Sequence, residues 1–271
     1  MNLGLQDRTA LVTGASSGLG RATAIALARE GVRVGICSRN SVRIHTAAVS
    51  VADAAGVSRD RVLPLVCDVT DEAAIHTAVD EVVSTYGGLD ILVCNAGGPP
   101  AGTVDDFNAD DWRMALELNL VSTINLTRAA LPHLRAAAAR PDGLARILMI
   151  TSLSAKQPVA GLYLSNVSRA GVQGFAKSLS EELGPEGITV NTILPGYTRT
   201  DRLTDLATSL SERRQVTMAE VEDGWAAMAA LRRIGTEQEF AAAAAFLVSR
   251  PAGYITGVAL PVDGGAIKSL L

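Results

Sequence analysis

Three glycines stand between an apolar run and a helix-forming run in the segment Thr13-Gly14-Ala15-Ser16-Ser17-Gly18-Leu19-Gly20. The run before it, 9–12, predicts a short buried strand, and the run 18–30 is rich in residues that favour a helix. Glycines let such a turn bend sharply and approach a pyrophosphate, and the following helix offers unpaired N–H groups at its N-terminus. With the apolar run 32–37 next along the chain, the pattern predicts a dinucleotide-binding unit. The alternative is a structural turn without a ligand.

The composition limits the classes of protein to which the chain can belong. The chain has 271 residues, 48% of them hydrophobic, which is enough for one large α/β domain. A net charge of −4 and an aromatic content of 4% give no basis for nucleic-acid binding. The longest apolar run, 241–248, is too short to span a bilayer, and residues 1–8 contain no signal-peptide core. We therefore expect a soluble cytoplasmic protein with no nucleic-acid or membrane partner.

Cysteine and histidine residues form no metal-binding pattern in the sequence. Cys37, Cys67 and Cys94 each lie within or at the end of an apolar run, and their spacing matches neither a zinc nor a redox motif. The three histidines are far apart in sequence. We expect reduced core thiols and no metal site.

Apolar strand-like runs alternate with longer helical patterns along most of the chain, which predicts a parallel sheet with helices on both faces. The predicted strands are 9–12, 32–37, 62–67, 89–94, 145–150, 188–193 and 258–262. The predicted helices are 18–30, 41–55, 71–86, 109–137, 163–183 and about 236–249. No linker interrupts the alternation, so we expect one doubly wound α/β domain over residues 1–271.

Residues 200–233 depart from this alternation. The segment contains helical patches but no strand, and it follows Pro195-Gly196, which directs it across the carboxyl edge of the predicted sheet. Because ligands bind at that edge, we expect a substrate lid; a plain surface connection is the alternative. Four arginines in or beside the segment either suit an acidic substrate or are solvated: Arg199, Arg202, Arg213 and Arg214.

Two short segments after predicted strands are placed to meet the adenosine end of a dinucleotide. Where an acidic residue would bind the ribose 2′-hydroxyl of NAD, the chain has Ser38 followed by Arg39. A guanidinium pairs with a 2′-phosphate and a carboxylate repels it, so NADP is the expected cofactor and NAD the less favoured one. The alternative for Arg39 is a solvated loop arginine. Asp68 and Val69 are placed to meet the adenine, and Asp68 can also cap the next helix.

Small residues follow the fourth predicted strand in the segment Asn95-Ala96-Gly97-Gly98. Their size allows a ribose and a nicotinamide to lie against the backbone. Asn95 can also tie neighbouring strands together by hydrogen bonds, a role compatible with the first. Pro195-Gly196 follows the sixth predicted strand and reaches the same edge of the sheet.

These motifs resemble those of the classical branch of the short-chain dehydrogenase/reductase superfamily, and most of all its 3-oxoacyl-carrier-protein-reductase-like members. They extend over nearly the whole chain: Thr13-Gly14-x-x-x-Gly18-x-Gly20, Asp68, Asn95-Ala96-Gly97, Asn119, Ser152, Asn191, Pro195-Gly196 and Asp263-Gly264-Gly265. The resemblance implies a single-domain Rossmann fold, a nicotinamide cofactor, a small carbonyl or alcohol substrate, and a homodimer or homotetramer built on helices 109–137 and 163–183. The residues expected to bind the cofactor are Gly14, Ser16, Ser17, Gly18, Leu19, Gly20, Ser38, Arg39, Asp68, Val69, Asn95, Ala96, Gly97, Arg169, Pro195, Gly196 and Thr198.

The proton chemistry of this family depends on a tyrosine, a lysine four residues later, and a serine about thirteen residues before the tyrosine. In this register Ser152 is the serine, but Ser165 and Arg169 stand where the tyrosine and the lysine are expected. A serine hydroxyl is far less acidic than a phenol. An arginine supplies charge and ribose hydrogen bonds but exchanges no proton near neutral pH. Asn119 matches the asparagine that carries a water in the family's proton path.

Two nearby side chains are alternative proton donors. Tyr163 precedes Ser165 by two residues, a rotation of about 200° along a helix, so its phenol reaches the site only outside regular helix. Otherwise Tyr163 packs or forms a substrate wall. Lys156 either enters the pocket or is a solvated loop lysine. The predicted catalytic residues are Asn119, Ser152, Tyr163, Ser165 and Arg169.

Three functions are compatible with this set of residues. We favour an NADP(H)-dependent carbonyl reductase or alcohol dehydrogenase with an atypical active site, because the cofactor carries the hard chemistry and half of the reaction centre is present. One alternative is a non-redox enzyme, such as a cyclase, dehydratase or isomerase, on the same scaffold. The other is a catalytically silent nucleotide-binding protein.

Overall fold

Seven apolar segments form one parallel sheet in the computed structural model, which describes residues 1–270. The strands are β1 (Thr9–Val12), β2 (Arg33–Ser38), β3 (Val62–Val66), β4 (Ile91–Cys94), β5 (Ala145–Ile150), β6 (Ile188–Pro195) and β7 (Ala259–Val262). Their order across the sheet is β3-β2-β1-β4-β5-β6-β7, and every neighbouring pair is parallel. The predicted doubly wound sheet of about seven strands is confirmed.

Nine α-helices connect or follow these strands within the described residues. They are α1 (Gly18–Arg29), α2 (Ser41–Ala55), α3 (Glu72–Tyr86), α4 (Ala109–Leu116), α5 (Ser122–Ala138), α6 (Tyr163–Leu183), α7 (Asp201–Arg214), α8 (Met218–Met228) and α9 (Glu237–Leu247). A side-chain cap fixes the start of most of them: Thr236, for example, accepts the N–H of Glu239, whose carboxylate accepts the N–H of Thr236. None of the helices within residues 1–270 is long and apolar enough to cross a membrane.

The prediction of one α-helix over 109–137 is wrong in its middle. Between α4 and α5 the chain adopts a π-helical segment, Glu117–Val121. Its central residue, Asn119, is buried, and its amide Nδ2 donates to the Ala115 carbonyl at 3.2 Å. The hydroxyl of Thr123 donates back to the Asn119 carbonyl at 2.8 Å, and such back-bonding distorts a helix. Insertions of this kind occur often at functional sites.

Two hydrophobic clusters cover the two faces of the sheet. One face packs against α1, α2 and α9, where Leu27, Ile44 and Phe240 are fully buried. The other packs against α3, α5 and α6. The central strands are buried on both faces, as all six residues of β5 show, so they read as nearly continuous apolar runs, whereas the edge strands β3 and β7 are only partly buried.

The strand order reverses between β1 and β4, and this reversal opens a crevice at their carboxyl ends. The segment 200–233 contains α7 and α8. A small third cluster holds these two helices together around Ala207, Val221 and Trp225. The predicted role of 200–233 as a lid stays a prediction.

Candidate active site

The glycine turn after β1 is closely packed against the end of β4. Gly14 and Gly18 have φ values of +58° and +57°, the left-handed region that favours glycine. A Cβ at Gly14 would lie 2.8 Å from both the side-chain nitrogen and the carbonyl oxygen of Asn95. Only a backbone without side chains at these points can follow this path.

The N-terminus of α1 lies open at the crevice. Ser17 stands at the N-cap position, but its side chain makes no capping hydrogen bond, in contrast to the caps of α2, α3 and α9. The first N–H groups of a helix have no partner within the helix, and together they carry a partial positive charge. Ser17, Gly18 and Leu19 line the cavity at this point. The turn and the uncapped helix end therefore fit the pyrophosphate of a dinucleotide.

A cavity of about 590 Å³ lies at the carboxyl ends of the central strands. Its wall brings together thirteen of the predicted site residues: Gly14, Ser17, Gly18, Leu19, Asn95, Ala96, Gly97, Ser152, Ser165, Arg169, Pro195, Gly196 and Thr198. This volume is in the range of small-molecule and cofactor sites. The glycine turn and the residues placed by the catalytic register thus share one pocket.

Asn95 ties the ends of β1 and β4 together. Its Nδ2 donates to the carbonyl oxygens of Gly14 at 3.0 Å and Thr13 at 3.3 Å. The Thr13 hydroxyl donates to the Asn95 carbonyl at 2.7 Å and accepts the Asn95 N–H at 2.8 Å. The structural role predicted for Asn95 is therefore present, and the residue also lines the cavity.

The predicted adenosine-binding residues lie at the ends of β2 and β3, outside the cavity wall. Ser38 is partly exposed and Arg39 is exposed. The prediction that Asp68 caps the next helix is wrong. Its Oδ1 accepts the N–H and the hydroxyl of Thr70 at 3.0 and 2.8 Å. The cap of α3 is Asp71, because its Oδ1 accepts the N–H groups of the two residues after Glu72. Val69 is buried.

Hydroxyl groups cluster at the bottom of the cavity. Ser152 follows β5, and its Oγ accepts the N–H of Ser154 at 3.1 Å. The Ser154 Oγ lies 3.1 Å from the Oγ of Ser165 on the first turn of α6. Ser154 thus links Ser152 to Ser165, and both of these serines line the cavity.

Arg169 lies four residues after Ser165 on α6, and 7% of its surface is exposed. Its guanidinium donates to the carbonyl oxygens of Ile150 at 3.1 Å, Ala96 at 3.2 Å and Gly97 at 3.4 Å, which joins the ends of β4 and β5. Its Nε has no hydrogen-bond partner among residues 1–270. Burial, followed by the nearby positive charge of Arg202, lowers the pKa of Arg169 to about 10. The group remains a cation at neutral pH.

Two predicted catalytic residues lie away from the cavity wall. Asn119 is buried in the π-helical segment, and its Oδ1 has no hydrogen-bond partner among the described residues. Tyr163 is the first residue of α6, is 43% exposed and does not line the cavity. The proposal that Tyr163 supplies the proton required it to lie outside regular helix, and the structure contradicts that condition. Lys156 is exposed and is likewise absent from the wall.

Sequence reasoning did not predict Tyr197 or Ser154 as site residues, and it placed Arg202 only in the lid segment. Tyr197 lines the cavity, and its ring stacks on Trp225 with centroids 5.1 Å apart; its place directly after Pro195-Gly196 was an available signal. Arg202 also lines the cavity and donates to the carbonyl oxygens of Gly98 and Pro99 at 3.2 and 3.4 Å. Ser154, the hydrogen-bond partner of Ser165, carries no sequence signal of its own.

Residues 1–270 contain no group of three or more histidine, cysteine or acidic side chains that could hold a metal ion. The three cysteines are buried and unpaired.

The family model described as enoyl-(acyl carrier protein) reductase matches residues 14–266. The chain is 34% identical over 260 residues to the short-chain reductase protein NovJ of Streptomyces niveus, covering 96% of this chain and 94% of that one. It is also 34% identical over 263 residues to the 3-oxoacyl-[acyl-carrier-protein] reductase FabG of Salmonella typhimurium, covering 97% and 98% of the two chains.

Solved structures show the same fold over the whole length. An L-sorbose reductase from Gluconobacter frateurii, complexed with NADPH and L-sorbose, has a TM-score of 0.91 and 32% identity, with 100% of both chains covered. A variant of the actinorhodin polyketide ketoreductase with NADPH has a TM-score of 0.89 and 33% identity, covering 97% of this chain and 98% of that one. These matches, together with the glycine turn at the carboxyl end of β1, place the chain in the short-chain dehydrogenase/reductase family.

Proposed function

We propose that this protein is an NADP(H)-dependent oxidoreductase of the carbonyl reductase type, with an atypical active site in which Ser165 and Arg169 replace the tyrosine and the lysine. One observation carries the proposal. The open N-terminus of α1, Ser152 and the buried cation of Arg169 all face one cavity of about 590 Å³. Cofactor binding and carbonyl binding need these groups side by side.

NADP(H) is supported as the cofactor by the pocket and by the relatives. The glycine turn 13–20 would hold the pyrophosphate, and Arg39 would meet the 2′-phosphate at the end of β2. Arg169 would donate to the nicotinamide ribose while keeping its bonds to the strand ends. Bound in this pocket, NADPH would supply the hydride.

Arg39 provides a sharp test of the cofactor preference. Loss of a hydrogen bond to a charged phosphate costs about 1.5–3 kcal/mol, so Arg39→Gln should weaken NADPH binding roughly tenfold or more and leave NADH binding unchanged. Arg43→Gln, an exposed arginine on the first turn of α2, is the matched control. Equal losses for NADPH and NADH in the Arg39 variant would contradict this assignment.

Ser152 would bind the substrate carbonyl. Its Oγ already accepts the Ser154 N–H, which leaves its own proton free to donate to a carbonyl oxygen in the cavity. Ser165 adds a second hydroxyl from the facing helix, oriented by Ser154. The charge of Arg169 would stabilise negative charge on that oxygen, because its guanidinium is buried.

The segment 200–233 would close the pocket as a lid. Thr200 at the N-cap of α7, with Arg202 and Leu206 on that helix, reaches the cavity wall, and the stack of Tyr197 on Trp225 anchors the segment beside it. Arg202 bridges from α7 to the carbonyl oxygens that follow β4. Contacts of this kind suit a segment that covers a bound substrate.

The proposal is tested by titrating purified protein with NADPH and NADH, and then by following the absorbance of the reduced nicotinamide against a panel of carbonyl compounds. We expect NADPH to bind more tightly than NADH and to be oxidised by at least one compound. Ser152→Ala should lose turnover and keep NADPH affinity, whereas Ser178→Ala, an exposed serine on α6, should change neither. Tight NADPH binding without any oxidation would instead support a non-redox function.

A further inference from the structure

Three helices begin close together at the glycine turn. The first residues of α1, α7 and α9 are Gly18, Asp201 and Glu237. A Cβ built on Gly18 would lie 3.7 Å from Cγ2 of Thr200, the N-cap of α7, and 4.0 Å from Oε1 of Glu237. The N-terminus of α1 therefore lies beside the N-termini of two other helices.

The two neighbouring N-termini differ from that of α1 in capping and in charge. The side chains of Thr200 and Thr236 cap α7 and α9. Both helices also carry a carboxylate at their first position, where negative charge stabilises a helix. In contrast, α1 has neither a side-chain cap nor an acidic residue in its first turn. Its N–H groups remain for an anion such as the pyrophosphate.

The carboxylate of Glu237 lies next to this anion site without a cation paired to it. The residue is half-buried, and it forms no ion pair among residues 1–270. Burial raises the pKa of Glu237; the positive charge of Arg21 on α1 opposes that rise, and the negative charge of Asp201 on α7 adds to it. On the same element as Glu237, the carboxylate of Glu239 is engaged by Arg233.

We propose that Glu237 opposes the cofactor pyrophosphate and takes up a proton when the cofactor binds. The pyrophosphate would bring negative charge to the N–H groups that begin at Gly18, close to this carboxylate. A nearby like charge disfavours the ionised form of a group, so the bound cofactor favours the protonated carboxyl. The role proposed for Glu237 rests on the proposed function, because it needs the pyrophosphate at the turn 13–20.

The direction of the pH dependence follows from proton linkage. A ligand that prefers the protonated form of a group loses affinity as the pH rises through the ionisation of that group in the free protein, and the loss ends once the group has ionised in the complex as well. Two like charges 4 Å apart repel by an amount worth about fivefold in an equilibrium constant in bulk water, and by more near a protein surface. We therefore expect Glu237 to lower NADP affinity about tenfold in mildly alkaline solution.

The first experiment measures the dissociation constant of NADP from about pH 5.5 to 8.5, at constant ionic strength, for the wild type, Glu237→Gln and Glu30→Gln. Glu30, an exposed carboxylate at the far end of α1, is the matched control. The 2′-phosphate of NADP also titrates in this range, so each variant's affinity is divided by that of the wild type at the same pH. The ratio for Glu237→Gln should rise with pH to about tenfold. The ratio for Glu30→Gln should stay near one.

The second experiment counts the protons directly. Calorimetric titration with NADP, repeated in buffers of different protonation enthalpy, gives the protons taken up on binding. Near neutral pH the wild type should take up more protons than Glu237→Gln. That variant should gain affinity for NADH as well, because NADH has the same pyrophosphate, and the gain should shrink in 1 M NaCl, where the Debye length is about 3 Å. Glu237→Asp keeps the charge, so its ratio should stay closer to one at every pH.

Several results would overturn the role proposed for Glu237. A ratio for Glu237→Gln that does not change with pH would leave Glu237 only the role of stabilising the start of α9. Equal proton uptake by the wild type and this variant would exclude the proton linkage. Weaker binding by the variant at every pH would mean that Glu237 holds the cofactor instead of opposing it. Wild-type protein that binds no NADP at any pH would reject the proposed function too, whereas wild-type binding with a flat ratio would reject the role of Glu237 alone.

Discussion

Replacing Gly20 with alanine tests whether the glycine turn is shaped for close packing. A Cβ at this position would lie 2.5 Å from the Gly14 carbonyl oxygen and 2.7 Å from Asn95 Nδ2. Those two atoms already bond to each other at 3.0 Å, so neither can move alone. The added methyl group fits only if the turn and the end of β4 separate.

The cost follows from this geometry. Forcing an extra methyl into a well-packed site costs about 1–3 kcal/mol, and we expect Gly20→Ala to lose that much of the free energy of unfolding. Gly174 on α6 is the matched control, because nothing lies within 4 Å of a Cβ built there. Alanine at Gly174 should raise stability by about 0.5–1 kcal/mol, since alanine is the better helix former. The same substitution should therefore lower the free energy of unfolding at Gly20 and raise it at Gly174.

The assay is urea unfolding followed by circular dichroism, with NADPH titration of each folded variant. Displacing the turn costs hydrogen bonds to charged phosphate, so Gly20→Ala should weaken NADPH binding roughly tenfold or more, whereas Gly174→Ala should leave it unchanged. A Gly20 variant with wild-type stability and wild-type NADPH affinity would refute the packing argument. A loss of the same size at both glycines would refute it as well, since it would point to backbone flexibility.

Three further perturbations test the site. Arg169→Lys should make NADPH binding weaken as the pH rises through about 8–10, because burial lowers the pKa of a lysine below its usual value, whereas the wild-type affinity, with an Arg169 pKa of about 10, should stay flat to about pH 9. Trp225→Ala removes the stack on Tyr197 and should speed tryptic cleavage within 200–233; an unchanged rate would contradict the anchoring role. Asn95→Ala should cost about 1–3 kcal/mol in urea unfolding, because the carbonyls that it ties at 3.0 and 3.3 Å lose their partner; an unchanged midpoint would show that the tie is dispensable.

The fold was largely predictable because it depends on local apolar runs. Strands buried on both faces, such as β5, show as continuous hydrophobic segments, and all seven lie within two residues of their predicted starts. The π-helical segment Glu117–Val121 was not predictable in the same way. Its residues are ordinary helix formers, and the distortion depends on side-chain bonds from Asn119 and Thr123 to backbone groups one turn away.

The site could be predicted where its residues directly follow a strand in the sequence. The turn 13–20 and Asn95 each follow a strand, so their meeting at the reversal of strand order follows from the sheet topology. The contact of Arg202 with the cavity does not follow from the sheet topology. It depends on how α7 packs over the loop after β4. The stack of Tyr197 on Trp225 joins residues that no local pattern relates. The predicted homo-oligomer and cytoplasmic location stay predictions.

In the register proposed above, Arg169 stands at the position of the family's lysine, and its contacts hold the pocket in shape. Arg169 donates to three carbonyl oxygens at the ends of β4 and β5 from two separate nitrogens of its planar fork, which spreads the contacts wider than a single ammonium nitrogen would. The guanidinium therefore braces the strand ends and keeps the positive charge, while proton exchange near neutral pH disappears. If Ser165 stands at the tyrosine position, as proposed, the site keeps a positive charge and a hydrogen-bonding hydroxyl but has no phenol to donate a proton.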